Sequence, residues 1–235
     1  MANPIYSKAP LIETIFEIRF PGNPSVECHR DEVYQEFQES FPVVNVPIKI
    51  PPGSSLATAP YQFQSEDGKN TIMISINALA YSTKSYEGFD RFKKQTMQLI
   101  NFFGKRFGIK NLKRTGLRYI NVIPFTRESG AIPVSRFLNM SVSLPQSVPN
   151  AFKDFTLVFN SIMKSGLLTT RIDSATDKSN STEALVVDFD YAREKEIPFN
   201  SIDKCMDESH HETKVFFEEL ITKEYKNVMM GEVIE

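Results

Sequence analysis

Polar residues set among apolar ones are the first candidates for chemistry in this chain. Glu17 and Arg19 lie two apart in LIETIFEIRF (11–20). Arg118 and Asn121 lie within TGLRYINVI (115–123). Asp188 and Asp190 lie two apart in EALVVDFDY (183–191). Side chains alternate between the two faces of a strand, so residues two apart share one face. If these three segments neighbour one another, Glu17, Arg19, Arg118, Asp188 and Asp190 meet on a single sheet face. Such a cluster has two uses. It can be an ion-pair network that keeps strands in register, or a polar groove that binds a charged ligand or a partner's polar segment. These five residues and Asn121 are the candidates for ligand or partner binding.

Within TGLRYINVI, Leu117, Tyr119 and Ile123 point one way, while Ile120 and Val122 point the other way with Arg118. Both faces are largely apolar, which fits a central strand covered on both sides. A guanidinium in that setting needs an acid, because an unpaired buried charge is costly. The expected partner is an acid on a neighbouring strand. Enzymes that line a barrel for triphosphate also alternate acids and bases, after an opening strand of the form Glu-x-Glu-x-Lys. Here Glu17-Ile18-Arg19 is only a fragment of that pattern, and few Lys or Arg occupy inward strand positions.

Other groupings carry less. His210 and His211 are adjacent, so on a helix they point roughly 100° apart and do not readily share a metal. Asp207 and His211, four apart, read as an ordinary surface helix. Cys28-His29 has no base at a meaningful spacing. G-x-S-x-G, P-loop and G-x-G-x-x-G patterns are absent, and only 10 residues are Gly. No catalytic residue, metal or cofactor is assigned.

The elements that must position these residues follow from periodicity. Period-two alternation marks a strand over 11–20, bounded by Pro10 and Pro21-Gly22. Residues 26–41 read as a helix, and 42–60, with Pro42, Pro47, Pro51, Pro52 and Pro60, as a surface loop with an edge strand near 43–46. Strands at 61–66 and 70–76 flank the turn Glu66-Asp67-Gly68-Lys69, and another follows at 78–84. Phe89, Phe92, Thr96, Leu99, Phe103 and Phe107 recur at steps of three and four, which predicts a helix over 87–107 stopped by Gly108. Pro124 is expected to end the strand 115–123. A short helix near 133–139 and the turn-rich LPQSVPNAFKD come next. Strands follow at 155–164, 166–173 and 183–191, with a polar loop at 174–182. A long helix over 199–221 and a second one capped by Thr222 close the chain.

Strands in groups, each followed by a long amphipathic helix, predict an α+β fold. Its sheet is mainly antiparallel, with the helices packed on one face. The reading is a single domain over 1–235, or two similar halves, 1–125 and 126–235; no sequence repeat marks a duplication. Net charge is -2, so no cationic excess supplies the attraction that nucleic acid binding needs. MANPIYSKAP has no apolar core of a signal peptide, and no apolar run approaches the length of a membrane span. With two separated cysteines, Cys28 and Cys205, these features predict a cytoplasmic protein with no membrane partner. Another protein is the expected partner, and self-association is open.

APLIETIFEIRF, RTGLRYINVIPF, LVVDFDY and HHETKVFFEELIT occur in that order. In this the chain resembles a family of similar length scattered sporadically through bacteria and archaea. Its members open with a P-L-I/V-E strand, carry G-L-R-Y-I-N near the middle, and close with a His-containing helix ending Phe-x-x-x-Ile-Thr. The resemblance covers essentially the whole chain and carries no activity with it. Its patchy distribution implies genes on mobile islands, where phage-defence and toxin–antitoxin components are common. The ordinary charge balance, the lack of a catalytic constellation, the long proline-rich loop and sheet edges able to accept a strand predict a non-catalytic protein-binding module. The alternative is an enzyme acting on a phosphorylated small molecule or nucleotide across the polar sheet face.

Overall fold

Alternating apolar residues build one large antiparallel sheet, and the helical stripes pack on one side of it. The computed structural model describes residues 6–46, 61–141, 145, 152–177, 179 and 181–231. In chain order the elements are β1 (Leu11–Arg19), α1 (Pro24–Cys28), α2 (Arg30–Phe37), β2 (Val43–Asn45), β3 (Tyr61–Gln64), β4 (Asn70–Ser75), β5 (Ala78–Thr83) and α3 (Phe89–Phe107). Then come β6 (Asn111–Leu112), β7 (Arg114–Phe125), α4 (Val134–Phe137), β8 (Thr156–Ile162), β9 (Leu167–Thr176) and β10 (Glu183–Arg193). The chain closes with β11 (Ile197–Pro198), a 3-10 turn at Phe199–Ser201, α5 (Ile202–Leu220) and α6 (Lys223–Met230). The fold is α+β. Most of the proline-rich loop and of LPQSVPNAFKD lies outside the described residues.

The nine-stranded sheet has the order β2-β3-β4-β5-β1-β7-β10-β9-β8, and every pairing in it is antiparallel. A topological pattern recurs. β1 is followed by the meander β3-β4-β5, whose last strand returns to pair with β1, and then by α3. β7 is followed by the meander β8-β9-β10, whose last strand returns to pair with β7, and then by α5. α3 and α5 each have 19 residues. β1 and β7 pair antiparallel at the middle of the sheet. In this arrangement Arg114–Phe125 opens the second set.

The covered face is largely apolar at its centre. Phe16 and Ile18 of β1, Leu117 and Ile123 of β7, and Phe189 and Tyr191 of β10 are buried there. They meet the stripes Phe92, Leu99 and Phe103 of α3, and Ile202 and Met206 of α5. At roughly 1.5–3 kcal/mol for each large side chain, this layer dominates the stability of the fold. The residues of opposite phase, among them Ile15, Glu17, Arg118, Ile120, Asp188 and Asp190, are half-buried or exposed. So 115–123 is a central strand, between β1 and β10, but among the described residues it is covered on one side only. An antiparallel sheet joins its strands at their ends and can leave one face to water. The helices among the described residues take the other face.

Local chemistry accounts for the remaining boundaries. The helix expected over 26–41 is two helices, broken at His29 (φ −129°, ψ 34°). The ring Nδ1 of His29 lies 3.0 Å from the carbonyl of Ser25, one turn back. Pro124 does not end β7. The N–H of Val122 donates to Pro10 at the end of β1, so the missing donor of Pro124 faces the side where β1 has already finished. β9 runs on to Thr176, which shortens the polar loop. Gly108 stops α3 in the left-handed conformation (φ +64°), and Thr222 caps α6 by accepting from the N–H of Tyr225 at 3.1 Å. No helix among the described residues is long and apolar enough to cross a membrane.

Candidate functional site

The uncovered face carries a band of charge across four adjacent strands. Register sets it. Glu17 of β1 faces Gly116 of β7, Arg118 of β7 faces Asp190 of β10, and Asp188 of β10 faces Arg171 of β9. Neighbouring strands are about 4.8 Å apart, so each charge is within reach of the next.

Arg118 bonds diagonally. Its Nε donates to Asp188 Oδ1 at 2.8 Å and its Nη2 to Asp188 Oδ2 at 2.6 Å. This two-point fork fits a planar guanidinium to a carboxylate. The bonds raise Arg118 above the ordinary guanidinium value, with Asp190 and Glu13 contributing at longer range. The side chain of Arg118 is 44% exposed, whereas that of Asp188 is 13% exposed. The strand's arginine therefore leans over its acid from the water side.

Arg114 is the second anchor. Its Nη1 donates to Glu17 Oε1 at 2.7 Å, its Nη2 lies 3.3 Å from both oxygens of Asp190, and its Nε is 3.6 Å from Glu194. Arg19 Nε donates to the same Glu17 oxygen at 2.7 Å. Gly116 makes this possible. A Cβ built there would stand 2.6 Å from Arg114 Nη1. The absent side chain lets the guanidinium lie flat over β7 and reach an acid on either side. A hollow of about 430 Å³ opens beside it, bounded by Arg114, Gly166, Thr169, Asp190, Arg193 and Glu194. Further along, Arg171 Nε donates to Asp173 Oδ2 at 2.5 Å and holds that carboxyl below its usual range, while Thr156 donates to its other oxygen.

The chain matches no family model, and no curated protein matches it.

Four arginines, Arg19, Arg114, Arg118 and Arg171, thus share this face with Glu13, Glu17, Asp173, Asp188, Asp190 and Glu194. Each arginine is engaged by a carboxylate. The face is acidic on balance, with Lys195 at the rim of the hollow as a further cation. Glu17, Arg19, Arg118, Asp188 and Asp190 are brought together here. Asn121 is not. It is 4% exposed on the covered face, where its Nδ2 donates to the carbonyl of Val187 at 3.1 Å. Alternation alone puts Asn121 in phase with Leu117 and Tyr119. The same count run backwards from Arg118 through Gly116 reaches Arg114, which the sequence reading passed over.

The two histidines diverge. His211 is exposed. His210 is half-buried against Phe89, with ring centroids 3.8 Å apart and planes at 6°, and its Nδ1 lies 2.8 Å from the Tyr119 hydroxyl. Burial, with help from Lys214, pushes His210 down to about 4. Asp207 is held by Lys93 at 2.7 Å. His210 and Asp207 serve helix docking.

Proposed function

We propose that this chain is a non-catalytic protein-binding module, that the uncovered sheet face is its docking surface, and that its partner presents basic side chains to that face. The observation that carries this reading is the acidic band itself: six carboxylates around four arginines on an open sheet face. Complementary charge steers encounter and fixes register at such a surface. The resemblance to a sporadically distributed family makes a protein encoded nearby, in a mobile-island defence or toxin–antitoxin system, the first partner to seek.

The enzyme reading has less support. An enzyme for a phosphorylated small molecule or nucleotide needs cations that meet phosphate. Arg114 and Arg118 are already bound to acids.

The test is capture of partners by the tagged protein from its host lysate, beside a Glu13→Lys, Glu194→Lys variant. A stoichiometric partner with a basic surface, lost at least tenfold by the variant, supports the module. A partner captured equally by both proteins sinks the assignment of this face. Binding of nucleotide by the purified protein, abolished by Arg118→Met, would replace the module with the enzyme reading.

A further inference from the structure

Among the described residues, β8 is an edge strand with none of the usual protections. Its seven residues, Thr156–Ile162, read TLVFNSI and contain no charge and no proline. Natural sheets blunt such edges with Lys, Pro, bulges or a covering element. Here Ile162 is 92% exposed and Val158 is 50% exposed. Among the described residues, β8 pairs only with β9.

The phase of its backbone is fixed. The N–H of Ser174 donates to the carbonyl of Phe155 at 2.8 Å, and the N–H of Met163 donates to Gly166 at 3.0 Å. In an antiparallel ladder such bonded pairs recur at every second residue. Leu157, Phe159 and Ser161 therefore spend their main-chain groups on β9. Thr156, Val158, Asn160 and Ile162 direct theirs outward.

The geometry points to a second copy of this chain as the occupant of that edge, in a two-fold antiparallel pair of β8 strands centred on Phe159. In this register Val158 of one copy faces Asn160 of the other, and Thr156 faces Ile162. All four belong to the outward-directed set, so each pair exchanges both main-chain bonds. Side chains keep their faces: Phe159 meets its own symmetry mate on the covered side, and Val158 and Ile162 stay on the open side. The flanks decide the register. Asp154 and Lys164, both exposed, lie five residues either side of Phe159. The two-fold brings Asp154 of each copy beside Lys164 of the other, so opposite charges close both ends of an uncharged strand. Two nine-stranded sheets become one, with their uncovered faces on the same side. This inference does not depend on what the uncovered face binds.

Light-scattering mass measurement and sedimentation of the purified full chain, at concentrations up to about 100 µM, test it. The expected mass is twice the 26.8 kDa of the chain. Asn160→Pro removes one outward N–H and leaves the main-chain bonds to β9 intact, losing only the side-chain bond that Asn160 Oδ1 accepts from Thr169, so it should give a folded monomer by circular dichroism. Val158→Lys, a charge on the same edge, should do the same by an independent route. Lys164→Glu should weaken the dimer at least tenfold, and adding Asp154→Lys should restore it. A monomeric wild type, or a dimer unchanged by both edge variants, overturns the proposal.

Discussion

Arg118 is bound at two points by Asp188, yet water reaches its outer half, and that limits what the pair is worth. Half-exposed ion pairs contribute about 1 kcal/mol at most. Losing the arginine also leaves the more enclosed Asp188 without its fork, which adds about 1 kcal/mol. Arg118→Met should therefore lower the unfolding free energy by about 1–2 kcal/mol in urea titration, leaving the chain folded. A companion Asp188→Leu should return part of the loss. Complete unfolding by Arg118→Met would contradict the open geometry seen here. At this scale the sequence was partly legible. Alternation placed Glu17, Arg19, Arg118, Asp188 and Asp190 in phase, and register then brought them together. The exposure of Arg118 was not legible, because Ile120 and Val122 look alike whether a helix or water lies over them. The role of Arg114 depends on the missing side chain at Gly116, a contact made by an absence.

The helices show what periodicity does and does not reveal. The stripes of α3 and α5 were readable at steps of three and four, since each has a broad face to bury. How the two helices dock was not. The 3-10 turn before α5 lays the Phe199 ring on Gly104 of α3, where a Cβ would stand 2.0 Å from the ring. Lys93 of α3 reaches Asp203 and Asp207 of α5. At the other end of this seam, His210 of α5 stacks on Phe89 of α3 and meets Tyr119 of β7. An unfolded histidine titrates near 6.5, whereas His210 in the folded protein is pushed down to about 4 by burial. Between these values the unfolded chain binds the extra proton. His210 therefore contributes no pH dependence above about 6.5, and costs stability as pH falls from there toward 4, by up to about 1.4 kcal/mol per pH unit. Carboxylates titrate in the same window, so the readout is a difference. Urea unfolding from pH 7 to 4.5 should show a steeper acid loss for the wild type than for His210→Gln. Parallel curves would mean that His210 takes up its proton in the folded state at its ordinary value.

At the scale of the whole molecule, the recurring strand–meander–helix pattern raises the question of whether the chain unfolds in two steps. The packing argues for one. β1 and β7 pair along nearly all of β1, from Leu11 to Arg19. One buried cluster runs through Phe16, Ile72 and Phe103 on one side of that seam and Leu117, Phe189 and Met206 on the other. Opening the seam would bare two central strand edges and expose the apolar faces of Phe16 and Leu117 together, at several kcal/mol. Unfolding of one set of elements should thus drag the other with it. The chain has no Trp and 8 Tyr residues, spread over both sets, so tyrosine fluorescence and far-ultraviolet circular dichroism report on the whole. In urea the two signals should fall on one transition curve. If β8 pairs two copies, the midpoint should also rise with protein concentration in the wild type, because dissociation is then linked to unfolding. That rise should vanish in Asn160→Pro while the single transition remains. Two separated transitions in Asn160→Pro would mean that the seam between β1 and β7 is weaker than the interior of either set, and that each set is a folding unit of its own.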